Sequence, residues 1–240
     1  MDTPHFCAAL FKIIFVNILL SGDNAIVIAL SCRSLPKQQK NKAIFWGTLL
    51  AVVMRVILTS FAAFLLSIPY LKLAGSLLLV WIAVKFLLPE EEGAGGVEAA
   101  SKFVTALRTI VIADLVMSLD NVVGVAAAAE GRIGLLVIGL LMSVPLVIYG
   151  SNVVLRLLSH FPIVVVLGAA LLGYIAGEMV IAEDLIASRL APHLNQLKSW
   201  IPWLIAMSVV LAGKLLGMRR MQKPLLSRFG SEASRTDDGL

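Results

Sequence analysis

The stretch "ILLSGDNAIVIAL", residues 18–30, places an aspartate beside an asparagine in the middle of an otherwise apolar segment. The same pair returns about a hundred residues later in "LVMSLDNVVGVAA", residues 115–127. A carboxylate inside a hydrophobic helix is costly, and it usually faces a cavity or a partner instead of lipid. These two stretches therefore decide both the class of protein and the place to look for its site.

The composition around them is that of a membrane protein. Of the 240 residues, 59% are hydrophobic and 15% are charged, and the mean hydropathy is +0.94. Such values lie far outside the range of soluble domains. Apolar runs of 18 or more residues can cross a bilayer as helices, so we predict an all-α, polytopic membrane protein with seven transmembrane helices. The predicted spans are 8–31, 43–66, 70–88, 104–129, 132–156, 161–182 and 201–218.

The basic residues sort by loop and predict the topology. They crowd the first connection, residues 32–42, and the tail, residues 219–240. An excess of Lys and Arg marks cytoplasmic loops. We therefore expect a multi-pass protein of the cell (cytoplasmic) membrane with its N-terminus outside and its C-terminus in the cytoplasm. The formal net charge of +5 is explained by this topology, so no nucleic-acid partner is expected.

The two halves of the chain resemble each other. At a constant offset, the polar residues Asn17, Ser21, Asp23 and Asn24 correspond to Asp114, Ser118, Asp120 and Asn121. Because three helices are an odd number, the second copy must be inverted, as in many secondary transporters whose site lies between the copies. The predicted parts are a first three-helix repeat (1–88), a flexible cytoplasmic linker (89–103), a second, inverted repeat (104–185), an outer loop with the seventh helix (186–218) and a basic cytoplasmic tail (219–240).

Six of the ionisable residues inside the predicted spans are the candidates for a cation site. They are Asp23, Arg55, Lys85, Asp114, Asp120 and Glu178, with an excess of two negative charges that a divalent cation would neutralise. Carboxylate and amide oxygens, without thiolate or imidazole, favour magnesium, calcium or manganese. Adjacent Asp and Asn side chains diverge by about 100° on a regular helix. We therefore expect local unwinding at the paired motifs, which Gly22 would ease in the first copy.

The candidate residues fall into two groups. The predicted metal ligands are Asp23, Asn24, Asp120, Asn121 and Glu178. The predicted supporting polar residues are Asn17, Ser21, Arg55, Lys85, Asp114 and Ser118. Three of the supporting residues keep a second interpretation: Arg55 as a buried counter-ion for a site carboxylate, Lys85 as a side chain that extends to the cytoplasmic surface, and Asp114 as part of a vestibule.

At "SGDNAIVIAL" and "DLVMSLDNVVGVAA" the chain resembles the TerC family of integral membrane proteins, and within it the YjbE-type metal transporters. The resemblance extends over residues 8–218 and includes "LLLVWIAVKFLL" and "LLGYIAGEM". It implies a link to manganese export, with Asp23 and Asp120 as ion ligands supported by Asn24 and Asn121. The family often has an aromatic residue where this chain has Met117.

Together these features predict a secondary transporter that exports a divalent cation, with manganese as the expected substrate, by alternating access. Protons are the candidate coupling ion, and no further cofactor is required. The sequence has no Walker motif and no arrangement typical of intramembrane catalysis, so neither ATP hydrolysis nor another enzymatic activity is expected. Two alternatives remain open: an exporter of a small amino acid or cationic metabolite that would use Arg55, and a non-transporting partner that delivers metal to extracytoplasmic enzymes. The oligomeric state is left open.

Overall fold

A computed structural model describes residues 22–61, 64–65, 68, 70–89, 96–128, 133–183 and 199–218. Of residues 96–99, 120–128, 133 and 135 only the backbone is described. Every long regular element in these ranges is an α-helix. The helices are α1 (Gly22–Cys32), α2 (Lys37–Ser60), α3 (Leu71–Leu87), α4 (Gly96–Ala128), α5 (Ile133–His160), α6 (Ile163–Ile181) and α7 (Ser199–Met218).

The all-helical, polytopic architecture is confirmed. In the described part of the chain, four helices are long and apolar enough to cross a membrane, namely α2, α5, α6 and α7. Helices α3, α6 and α7 match their predicted spans to within two residues at either end. The first predicted span falls largely outside the described residues, so the count of seven crossings stays a prediction.

Helix α4 differs from its prediction in two ways. It begins at Gly96, so residues 96–103, which were expected to be flexible linker, are helical. The segment that follows Gly96 contains Ala, Glu and Lys, which are good helix formers. The helix also continues without a break through Asp120 and Asn121, so the expected unwinding at this motif is wrong. Residues 102–123 contain neither glycine nor proline, and nothing in this stretch interrupts the hydrogen-bond ladder.

The most extensive packing joins the two halves of the chain. Helix α1 packs on α5, α2 packs on α4, and α3 packs on α6. Exchanging the halves converts the α1–α5 pair into the α4–α2 pair and leaves the α3–α6 pair unchanged. Two copies related by a two-fold axis would make this pattern of contacts. The pattern supports the inverted repeat, which stays a prediction.

Glycines allow the closest of these approaches. Gly47 of α2 lies against Ile110 of α4, where a Cβ atom would stand 2.7 Å from the Ile110 Cδ1 atom. Gly177 of α6 lies directly against the backbone of Pro202 at the start of α7. Small residues at such positions let membrane helices pack backbone to backbone. The first contact brings α2 and α4 together beside the polar residues described next.

Candidate functional site

A buried ion pair joins the two halves of the chain. The guanidinium Nη2 of Arg55 on α2 contacts Oδ1 of Asp114 on α4, and the two residues are 5% and 6% exposed. Arg55 Nε also donates a hydrogen bond to Ser118 Oγ at 3.0 Å. Ser118, one turn beyond Asp114, donates in turn to Asp114 Oδ2 at 3.4 Å. The guanidinium is therefore held on two successive turns of α4.

The local sequences explain why these charges lie inside the bundle. Arg55 falls on the buried face of α2, three to four residues from Ala51 and Leu58. Asp114 falls on the buried face of α4 one turn after Ile110. Because both helices present these faces to each other, neither charge can reach water on its own helix. Removing two charges from water is tolerated only when they pair and form further hydrogen bonds, as these do.

A small polar cavity adjoins the ion pair. Its volume is about 20 Å³, which suffices for one water molecule or one dehydrated ion. The polar side chains that line it are Asn24, Thr48, Arg55, Asp114 and Ser143. They come from α1, α2, α4 and α5, so the first two described helices of each half contribute to one cavity.

The first paired motif reaches this cavity through its asparagine. Asn24 is 7% exposed and lines the cavity. Asp23 precedes it, is partly buried, and lies within electrostatic range of Arg55. The two side chains leave α1 in different directions, as helix geometry requires.

Several predicted residues lie elsewhere or outside the described part. The backbone of Asp120 and Asn121 lies on α4 about 9 to 11 Å along the axis from Asp114. Their side chains, like all of Asn17 and Ser21, fall outside the description. Their part in a metal site stays a prediction.

Lys85 and Glu178, which the predicted repeat would place at matching positions, do not line the cavity. Lys85 is exposed, and its Nζ atom lies 5.2 Å from the centroid of the Trp81 ring. Glu178 is exposed on α6 beside the phenol of Tyr174. The charge pair that the structure forms across the halves is Arg55–Asp114 instead.

Two cavity residues were missed by the sequence reasoning, Thr48 and Ser143. The Thr48 Oγ1 atom is fully buried and has no hydrogen-bond partner among the described residues. Ser143 donates to the carbonyl of Leu140 at 2.6 Å. Ser143 carried one usable signal: it lies two residues before Pro145, which removes a backbone hydrogen bond in the middle of α5. Thr48 carried no such signal in the sequence, because single threonines are common in apolar helices.

The described site offers oxygen atoms as ligands, next to the positive charge of the Arg55 guanidinium. In the described part of the chain, no three His, Cys, Asp or Glu side chains converge. Asp114, Asn24 and the two hydroxyl groups instead offer carboxylate, amide and hydroxyl oxygens. Hard divalent cations prefer such atoms. In the described conformation the cavity is too small to hold an amino acid. The Arg55 guanidinium, which would have to bind the carboxylate of an amino acid, is already paired with Asp114.

Comparison with known proteins gives a consistent result. The family model described as "Integral membrane protein TerC family" matches residues 2–223. The chain is 39% identical over 207 residues to the uncharacterized membrane protein YjbE of Bacillus subtilis, covering 86% of this chain and 94% of that protein. It is 28% identical over 170 residues to the uncharacterized membrane protein YceF of Bacillus subtilis, covering 67% and 66%. Identity to the UPF0053 protein YegH of Escherichia coli is 24% over 196 residues, or 74% of this chain and 37% of YegH. No solved structure matches the chain.

Proposed function

We propose that this chain, which belongs to the TerC family of integral membrane proteins, is a secondary transporter that exports a divalent cation, with manganese as its substrate. The observation that carries the proposal is the buried cavity at Asp114, whose lining includes carboxylate, amide and hydroxyl groups and comes from both halves of the chain. Intramembrane carboxylates of this kind typically lie on ion pathways. Inverted halves that enclose one site are typical of alternating access.

Arg55 has a specific part in this mechanism. In the described conformation its guanidinium neutralises Asp114, which lets the buried carboxylate exist without a bound ion. A divalent cation that binds Asp114 would repel the guanidinium, so Arg55 must move away from Asp114 as the ion arrives. Asp23, already within range of Arg55, would receive it. Return of Arg55 to Asp114 would then help to expel the ion.

The proposal also includes the direction of transport, the coupling ion and the membrane in which the protein lies. The basic first connection and tail support a cytoplasmic C-terminus in a cell-membrane protein, with export outward. Protons entering from outside would drive the exchange by neutralising a site carboxylate. Asp120, Asn121 and Glu178 would serve as ligands in other conformations of the cycle.

Manganese flux in proteoliposomes tests the proposal. We expect Asp114→Asn and Asp23→Asn each to lower the initial rate of flux by at least about 10-fold, because loss of a group that supports a metal site costs 10- to 100-fold in affinity or activity. Asp237→Asn, the same chemical change in the tail, should leave the rate unchanged. Gel filtration and circular dichroism of each variant would report whether the fold is kept.

Three results would contradict the proposal. Wild-type flux in both site variants would exclude this cavity as the ion site. Competition of manganese flux by free amino acids would favour the amino-acid exporter. Manganese binding that depends on Asp114, without flux in wild-type protein, would favour a partner that delivers metal.

The unpaired hydroxyl of Thr48 provides a second test, because isosteric replacement by valine separates packing from binding. Removing a buried hydroxyl that has no partner should raise the free energy of unfolding of the ion-free protein by about 1 kcal/mol. If Thr48 ligates the ion, Thr48→Val should at the same time weaken manganese binding several-fold. Thermal unfolding with and without manganese measures both effects. A variant that is more stable and binds manganese normally would remove Thr48 from the site.

A further inference from the structure

A second, larger cavity lies on the outer surface of α3 and α4, apart from the ion pair. Its volume is about 650 Å³. We call it the α3–α4 groove, and the residues that define it are Trp81 and Lys85 of α3 and Ser101, Val104, Thr105 and Arg108 of α4. Trp81 and Val104 are both 58% exposed, so the groove opens to the surface of the bundle.

The charge of the groove is positive. Lys85 and Arg108 are both exposed and both line it. A smaller cavity of about 180 Å³ shares Lys85 and Thr105 with the groove and adds Arg33 and Lys102. Among the described residues that line the two cavities none is acidic. Cations that face a bilayer require an anion or access to the interface.

The threonine hydroxyl groups beside the groove do not replace the anion that these cations require. Thr105 Oγ1 donates to the carbonyl of Ser101, and Thr109 Oγ1 donates to the carbonyl of Thr105, both at 2.9 Å. Their protons are therefore already used within α4. Among the described side chains of the groove, the donors left for a ligand are the Ser101 hydroxyl, the Lys85 ammonium group and the Arg108 guanidinium, and the guanidinium binds phosphate oxygens well.

The surface next to the groove is apolar. On α3, Trp81, Leu78 and Leu77 lie one to two turns from Lys85 toward the middle of the helix, and they are 58%, 36% and 66% exposed. Tryptophan is the residue enriched at membrane–water interfaces, and here the Lys85 ammonium lies over its ring. A ligand that suits both regions has an anionic head and an apolar tail.

We propose that the α3–α4 groove binds one anionic glycerophospholipid. Lys85 and Arg108 contact its phosphate, and its acyl chains lie along Trp81, Leu78 and Leu77. The lipid belongs to the leaflet on the predicted cytoplasmic side, where the basic first connection also lies. This proposal rests on the groove alone and does not depend on the transported substrate.

Native mass spectrometry of the detergent-solubilised full chain tests the proposal. Phosphatidylglycerol and phosphatidylcholine would be titrated in parallel, and we expect one saturable site that prefers phosphatidylglycerol. Lys85→Gln with Arg108→Gln should weaken that site about 30-fold, the effect expected for two cations near a membrane surface. Lys214→Gln with Arg156→Gln removes the same two charge types from exposed positions on α7 and α5, and it should leave the affinity unchanged.

Further variants keep the test decisive. Lys85→Arg with Arg108→Lys keeps both charges and should retain phosphatidylglycerol binding, whereas a misfolded protein would lose it. Equal binding of both lipids, or equal loss in the two Gln pairs, would overturn the proposal. Displacement of the lipid by millimolar glycerol phosphate would show a site for soluble anions. Saturable binding that appears only after Glu90, Glu91 and Glu92 are changed to Gln would assign the groove to the chain's own acidic linker.

Discussion

Arg55→Met is expected to lower the free energy of unfolding by about 3–5 kcal/mol, because it leaves the carboxylate of Asp114 buried without its partner. The loss exceeds that of an ordinary hydrogen bond, since Ser118 also loses its donor from Arg55. Replacing both members, Arg55→Met with Asp114→Leu, should restore most of the stability. A whole buried pair can often be exchanged for apolar residues of similar size without cost.

Denaturant or thermal unfolding in detergent, followed by circular dichroism, measures these differences. Arg156→Met, which removes an exposed arginine from α5, is the matched control and should change stability by less than about 0.5 kcal/mol. A double variant as unstable as the single one would contradict the expected role of the pair. A folded double variant without manganese flux would separate the structural from the transport role of these residues.

Gly177→Ala is expected to lower the free energy of unfolding by about 1–3 kcal/mol, the usual cost of overpacking. A Cβ atom at Gly177 would overlap the Cα atom of Pro202, which belongs to the backbone of α7 and cannot rotate away. Helices α6 and α7 must therefore separate to accept the methyl group. The same unfolding assay measures the effect.

Gly134→Ala is the matched control for this prediction. A Cβ atom at Gly134, in the first turn of α5, would meet no atom of the described residues within 4 Å. Alanine is the better helix former, so this variant should be as stable as the wild type or more stable by up to about 1 kcal/mol. Equal effects of the two substitutions would mean that helix propensity, and not the contact between α6 and α7, decides the stability at Gly177.

The sequence predicted the helices well because long apolar runs and their breaks are physically unambiguous in a membrane protein. Asp114 and Ser118, both predicted as supporting polar residues, contact each other on α4, since residues four apart lie one turn above each other. The beginning of α4 was harder to locate. A short Ala- and Glu-containing segment is typical of a linker in isolation, and it becomes helical as the extension of an existing helix.

The partner of Arg55 could not be read from the sequence. Four acidic residues lie in the predicted spans, and only the packing of α2 on α4 selects Asp114 from among them. Thr48 and Ser143 were missed for a related reason, because a hydroxyl group gains meaning only from what surrounds it. The charged residues in the predicted spans thus indicate where a site lies. The geometry of the site depends on contacts between residues far apart in the chain.

The unbroken course of α4 has a mechanical consequence. At 33 residues the helix is about 50 Å long, which exceeds the thickness of the hydrocarbon core. Asp114 and Arg108 are six residues apart on this helix and about 120° apart around its axis, so the buried Asp114 faces the bundle and the exposed Arg108 faces its outer surface. If α4 moves as one rigid body, a tilt that separates Asp114 from Arg55 also displaces Arg108 and the α3–α4 groove that it lines.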